Sequence, residues 1–414
     1  MRKKYVITFV TEFLVLISSI LVYKLAAVFL GNAGFSEYAL SRRALSLIQP
    51  ALILGFGVAI PRYVAYSSQS MTKHSDFYFV SGGGLLLLVV LVASSVMYLF
   101  KDNIAFLIFG AREYNYLIFP LGLMLAGIVS HLLCYTYFQG KLDMVKANVL
   151  QIINIAVIPL VAFLFSNNTA KILAVMGMLW LSTSMISCFL ILRRLEKPGT
   201  ILDILPYAKE LLIYGIQRVP GDFGLAALLS LVAIFTAHTG GGVEQAGYVA
   251  FGVSILSAAG SVFAPIGIVL LPQASQMVAK VEMARLRYYV KRILALTIVS
   301  TLIGLILFIM FGEEIIRLYL GSSFLGVASA AKLIALGVVP YAVFVSMRSI
   351  LDSYYLRAVN AKNILISLVL FVMCGGVSLV LPTSYRVLVI GFVLALLLLS
   401  VLTLIDIRKI FKNA

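Results

Sequence analysis

The sequence predicts an all-α integral membrane protein of about twelve transmembrane helices in two six-helix lobes. Three observations carry this. Of 414 residues, 62% are hydrophobic and 12% charged, and a mean hydropathy of +1.08 leaves too little polar side chain to cover a soluble globule. Apolar runs of about 20 residues, long enough to cross a bilayer, recur along the whole chain. The second half also repeats features of the first. Strand-period alternation is absent from the sequence, which excludes an outer-membrane barrel.

The first apolar run follows Met1-Arg2-Lys3-Lys4 and superficially resembles a signal peptide. It continues past about 20 residues, contains Glu12 and Lys24, and lacks a small-residue cleavage site, so it is expected to be a retained first helix. The spans are expected at 7–30, 40–66, 77–100, 114–138, 147–166, 170–192, 210–238, 244–272, 292–312, 327–351, 363–382 and 386–407. They give an N-terminal lobe over 1–195, a linker over 196–209 and a C-terminal lobe over 210–414. The connections are short, and the two longest, around 193–209 and 273–291, are basic. In the stretch 273–292, basic residues interleave with Val, Met, Leu and Tyr, which suits an amphipathic helix on the cytoplasmic leaflet.

Charge sets the orientation. Most Lys and Arg residues outside the spans, from Arg2 and Lys3 through Lys73, Lys146, Lys197 and Arg287 to Lys412, fall on one side. Lys101, Arg112, Lys171, Arg317 and Arg386 fall on the other. Both termini are therefore expected in the cytoplasm. The net charge of +16 is a consequence of topology, and nucleic-acid binding has no support. The three cysteines, Cys134, Cys188 and Cys374, lie in apolar segments and form neither a disulfide framework nor a metal set, while His74, His131 and His238 are dispersed. No metal or cofactor is expected. Phosphate-loop, nucleophile-elbow and metalloprotease signatures are missing, and the outer loops are too short for a polymerase's catalytic site, so an enzyme is disfavoured.

The repeat is specific in its details. Glu37-Tyr38-Ala39 near the start of the second span and Pro61-Arg62 near its end are matched in the eighth by Gly247-Tyr248-Val249 and Pro272-Gln273 at nearly equal spacing. Lys146-Ala147-Asn148 opens the fifth span as Lys362-Asn363 opens the eleventh. Parallel repeats of this kind predict lobes related by an axis along the membrane normal, with a cavity between them.

Ionisable residues inside spans are the functional candidates, because each costs roughly 2.5 to 3.5 kcal/mol at a helix centre and such residues turn inward to a pathway or a partner. Lys24, Arg42, Arg43, Arg62, Arg218, Lys332 and Arg348 are the span cations; Glu12 and Asp222 are the chief span acids. Lys24 and Arg43 fall at similar depth if their helices are antiparallel, which would suit a bound anion. Snorkelling to headgroups is the alternative for Arg42 and Arg43. Arg218 and Asp222, four residues apart around Pro220, are expected on one face of the seventh span, and Arg348 with Asp352 repeats that spacing in the tenth, each pair being an ion pair in the simplest reading. Glu12 and Asp222 are also candidate proton or cation sites, and His131 is a packing residue or a proton relay.

The segments Gly34-Phe35-Ser36-Glu37-Tyr38-Ala39-Leu40 leading to Arg43, Pro61-Arg62, Tyr137-Phe138-Gln139-Gly140-Lys141 to Asn148, Tyr214-Gly215-Ile216-Gln217-Arg218-Val219-Pro220-Gly221, and Arg348-Ser349-Ile350-Leu351-Asp352 occur in that order. Together with the spans, this set resembles the polysaccharide-transporter branch of the multidrug/oligosaccharidyl-lipid/polysaccharide flippase superfamily, especially the O-antigen (Wzx-type) flippases. The resemblance implies a MATE-like fold in the bacterial inner membrane, and transport of undecaprenyl-pyrophosphate-linked oligosaccharide from the cytoplasmic to the outer leaflet by alternating access. It implies a cavity lined by Lys24, Arg43 and Arg218, to which the span cations Arg42, Arg62 and Arg348 are further candidates, coupling to H+ or Na+ through Glu12 or Asp222, and a polysaccharide polymerase as a partner. A multidrug or cation antiporter on the same fold is the competing reading. Such a pump should line its cavity with carboxylates, whereas cations dominate these spans.

Overall fold

The computed structural model describes residues 2–67, 74–194, 200–355, 357–380 and 384–412. Lys73, Lys197 and residues 196–199 of the expected linker lie outside them. Among the described residues the chain is helical without strands. Nine of its helical segments are long and apolar enough to cross a membrane, or ten if Ser322–Ala335 and Val338–Tyr354, bent by 52°, form one span.

The chain forms two compact units, Met1–Phe223 and Gly224–Ala414. This division falls later than the linker read from the sequence, because the helix that follows the linker packs with the first unit.

The N-terminal unit begins with α1 (Arg2–Ile53), continuous except at Gly31, whose φ of 65° lies in the left-handed region. The apolar part of α1, Ile7–Ile53, is 47 residues long, about 70 Å at roughly 1.5 Å per residue and more than twice a hydrocarbon core. It therefore crosses as two arms. Across the kink, the Tyr23 ring packs on Phe35 and Tyr38 with centroids 6.1 and 6.0 Å apart. Then come α2 (Phe56–Ser67), α3 (Ser75–Leu99), α4 (Lys101–Phe109), α5 (Ile118–Gly140), α6 (Met144–Gln151), a π-helical turn at Ile152–Val157, α7 (Ile158–Val161), α8 (Thr169–Leu192) and α9 (Ile201–Ile216). Phe35, Tyr38, Phe56, Phe79, Phe163 and Trp180 fill its core.

The C-terminal unit comprises α10 (Val219–Ala237) from Gly224 onward, its first turn lying before the division, with α11 (Gly242–Ser261), α12 (Ala264–Ala279), α13 (Met283–Tyr319), α14 (Leu325–Ala335), α15 (Val338–Tyr354), α16 (Val359–Val380) and α17 (Tyr385–Lys412). Leu270, Met277, Leu286, Val290, Met347, Ile350 and Ile410 from α12, α13, α15 and α17 form one of its apolar clusters. On α13, Leu296, Val299, Ile303, Ile306 and Met310 face outward. That exposure is costly in water and expected in lipid, where the helix satisfies its own backbone.

Four expected spans are broken. The run 40–66 is interrupted at Leu54 and Gly55, both with positive φ (54° and 72°). The run 210–238 breaks before α10, whose second residue is Pro220, a position where proline starts a helix without losing a hydrogen bond. The run 244–272 breaks before α12, again with a proline in the first turn, and 327–351 breaks at Gly337. Arg218 and Asp222 therefore do not share the interior of one helix: Arg218 sits in the break and Asp222 in the first turn of α10. The expected amphipathic helix over 273–292 is corrected as well. It is a corner, where α12 ends, Val281 adopts φ 61° and α13 begins.

Candidate functional site

The α1/α2 break and the α9/α10 break meet backbone to backbone. A methyl group on Gly55 would lie 2.3 Å from the Gly215 carbonyl oxygen, and one on Gly215 would lie 2.2 Å from the Leu54 oxygen. Only two glycines permit that approach. It sets Tyr214, at the end of α9, against the outer face of α2. The Arg62 guanidinium lies 4.5 Å from the centroid of the Tyr214 ring, and the Arg218 guanidinium lies 5.4 Å from the same centroid. Arg218 Nη2 donates to the Tyr214 hydroxyl at 3.4 Å. Both arginines are exposed.

The platform under them is aromatic. Tyr63 meets Tyr214 edge-on at 5.8 Å and stacks on Tyr78 at 5.2 Å, while Tyr207 meets Tyr78 at 4.8 Å. The Tyr78 hydroxyl donates to Glu210, and Ser81 Oγ donates to the Ile204 carbonyl at 2.9 Å, so the start of α3 is tied to α9. Two guanidiniums on one ring lie within about 10 Å of each other, roughly one screening length. Among the described residues neither has an ion-pair partner. Two like charges at this separation repel, a bridging anion would relieve that repulsion, and planar guanidinium forks match phosphate oxygens.

The other candidates are spread through the fold. Lys24 is half-buried on the first arm of α1, beside Tyr23, and Arg43 is buried on the second arm. Arg42, half-buried, lines a recess with His131, Gln151 and Trp180. Glu12 is exposed on the first arm, within electrostatic reach of Tyr135, and Asp222 is exposed. Arg348 and Lys332 belong to the C-terminal unit. The ion pair expected between Arg348 and Asp352 is not formed. Asn360 Nδ2 donates instead to Asp352 Oδ1 at 2.7 Å and to the Arg348 carbonyl at 2.8 Å. Lys332, the remaining span cation, is neutralised by Glu313 at 2.8 Å. Arg218 and Asp222, read from the sequence as contributions of the C-terminal lobe, fall in the N-terminal unit.

Several quoted motifs turn out to hold the fold. Lys141 Nζ pairs with Asp76 at 2.8 Å, and the Tyr137 hydroxyl donates to the same carboxylate at 2.9 Å. Asn148 donates to Thr8 at 3.0 Å, and Tyr116 donates to Glu37 at 2.7 Å. Sequence reasoning quoted Tyr214 without giving it a role, and it passed over Gln49, Gln151 and Asn154. The available signal for the last three was an uncharged amide inside an apolar run.

Comparison with known proteins agrees with this architecture. The solved structure described as "Lipid II flippase MurJ, inward closed conformation" superposes with a TM-score of 0.75 at 14% identity, covering 99% of this chain and 88% of that one. An inward-facing multidrug resistance MATE family transporter of the MOP superfamily gives 0.74 at 15%, covering 95% of each chain. A MOP superfamily transporter from Pyrococcus furiosus, whose description speaks of a binding pocket of reverse polarity, gives 0.65 at 15%, covering 99% and 96%. At these identities the likeness establishes the fold, which is that of the MurJ and MATE transporters. No curated protein matches the sequence. The family described as "Polysaccharide biosynthesis protein" matches residues 1–278, about two-thirds of the chain, and the protein belongs to that family.

Proposed function

We propose that the protein is a flippase for undecaprenyl-pyrophosphate-linked oligosaccharide, a surface-polysaccharide repeat unit of the O-antigen type. It moves this cargo from the cytoplasmic to the outer leaflet of the inner membrane by alternating access, with both termini cytoplasmic. The observation that carries the reading is the pair Arg62 and Arg218 on one tyrosine ring without an acidic partner among the described residues. A pyrophosphate is the part of such a lipid that cannot cross about 30 Å of hydrocarbon unaided. Its two phosphates suit two guanidinium forks. Lys24, Arg42, Arg43 and Arg348 are further cations for its path, and Glu12 or Asp222 couples it to H+ or Na+. A polysaccharide polymerase is the partner that would consume the exported unit.

The likeness to multidrug MATE structures favours a second reading, a drug or cation antiporter. Deleting the gene separates the two. The flippase reading expects lipid-linked repeat units to accumulate on the cytoplasmic face while drug sensitivity is unchanged. Drug sensitivity with normal surface glycan overturns it in favour of the antiporter.

A further inference from the structure

The N-terminal unit contains a recess of about 320 Å³ away from the arginine pair, lined in part by Arg42, Ser46, Gln49, Tyr135, Gln151 and Trp180. None of its lining residues is acidic; Glu12, whose field reaches Tyr135, lies outside the lining.

Hydrogen bonding within the fold determines which lining atoms remain for a ligand. The π-helical turn at Ile152–Val157 offsets the backbone, and the Asn154 carbonyl accepts the Trp180 indole N–H. Asn154 Nδ2 donates to His131 Nδ1 at 2.9 Å, and His131 Nε2 meets Gln151 Oε1 at 3.0 Å. With Nδ1 accepting, Nε2 carries the proton and donates to Gln151, so the Gln151 amide nitrogen is left as the end able to donate elsewhere. The Ser46 hydroxyl hydrogen is engaged by the Arg42 carbonyl at 2.9 Å, which leaves its oxygen as an acceptor. Gln49 has no side-chain hydrogen bond among the described residues. The indole is buried at 2% exposure behind the lining, so the ring surface left to a ligand is that of half-buried Tyr135, whose ring is stacked on His131 at 5.6 Å. Leu132 and Ile128 complete an apolar wall.

A tyrosine ring with amide and hydroxyl groups beside it is the chemistry that takes a sugar ring, whose C–H face is apolar and whose rim carries hydroxyls. The volume is at the small end for ligand pockets, which suits one ring. A guanidinium without a lining acid selects a negative substituent, and a single fork matches a carboxylate. A lipid tail would strand these polar groups, and a cationic drug would face Arg42 unopposed. We propose that the recess is a subsite for one carboxylate-bearing sugar residue. It rests on the flippase reading only in taking that sugar to be part of the cargo.

Trp180 is the one tryptophan of the sequence, so its emission reports the recess directly. The purified full-length chain is titrated with methyl glucuronoside, methyl glucoside and inorganic pyrophosphate. The expected result is a saturable change in Trp180 emission with the glucuronoside at about tenfold lower concentration than with the glucoside, with Arg42→Gln abolishing that preference. Gln49→Ala, which breaks no side-chain hydrogen bond among the described residues, should weaken glucuronoside binding at an unchanged unfolding temperature. Three results would overturn the proposal: no saturable response to the glucuronoside, an undiminished preference in Arg42→Gln, or binding unaffected by Gln49→Ala. A response to pyrophosphate alone would overturn it too, by making the recess a phosphate site. Export is read separately in the deletion strain. Normal export with sugar binding intact refutes the flippase reading alone, and lost sugar selectivity with impaired export refutes the subsite alone.

Discussion

Tyr214 does for the arginine pair what a carboxylate would do, without cancelling the charge. Its ring face attracts each guanidinium and its hydroxyl accepts from Arg218, so both cations are positioned and both remain available. Charge-assisted hydrogen bonds contribute about 1.5 to 3 kcal/mol each. Arg62→Ala and Arg218→Ala should therefore each weaken binding of undecaprenyl pyrophosphate by roughly tenfold to a hundredfold. Tyr214→Phe, which keeps the ring, should cost much less, and calorimetric titration of the purified variants checks the order. Asn154 is a structural counterpart. Its side chain holds His131, Ser184 at 3.3 Å and Thr183 at 2.5 Å. Asn154→Ala should cost about 2 to 4 kcal/mol, because it strands several buried polar groups, and should lower the unfolding temperature in detergent. Span cations stand out in the sequence because charge in apolar runs is rare. Which of them meet does not, because Arg62 and Arg218 are far apart along the chain and their shared ring is an ordinary tyrosine.

At the scale of elements, the sequence gives the helices away and conceals their breaks. A hydropathy window averages across residues such as Leu54-Gly55 or Gln217-Arg218 as long as both flanks are apolar. Depth reckoned along a straight helix then fails, as it does for Arg218 and Asp222. Proline and glycine were the readable markers: Pro220 and Pro265 open helices, and Gly337 precedes one. The breaks matter because the site is built where two of them touch. Gly215→Ala would push a methyl group into the Leu54 carbonyl, and Gly55→Ala would add strain at φ 72°. Each should lower the unfolding temperature and also abolish the paired-arginine site, read as loss of pyrophosphate binding beyond that of either arginine variant. Gly84→Ala, whose methyl group would meet nothing within 4 Å, is the matched control and should be neutral or slightly stabilising, since alanine favours the helix by up to about 1 kcal/mol.

For the whole molecule, the proposed ion-coupled flippase raises the question of which acid would couple transport to the gradient. The two candidates sit in different physical situations. Asp222 lies in the first turn of α10, where the unsatisfied amides of a helix N-terminus favour a negative charge. That explains its presence without transport. Glu12 lies on the first arm of α1, inside the apolar stretch Ile7–Ile53, where a carboxylate is expensive and no helix end compensates it. Binding a proton or a cation removes that cost, so occupancy of Glu12 should respond to the gradient while that of Asp222 should not. In proteoliposomes loaded with undecaprenyl-pyrophosphate-linked oligosaccharide, an imposed H+ or Na+ gradient should accelerate translocation by the native chain. Glu12→Gln should translocate at the rate seen without a gradient, with pyrophosphate binding at Arg62 and Arg218 intact, and Asp222→Asn should keep its response. If Asp222→Asn instead loses the response and Glu12→Gln retains it, the coupling site lies in α10, next to Arg218. The carboxylate would then be cleared together with the headgroup rather than ahead of it.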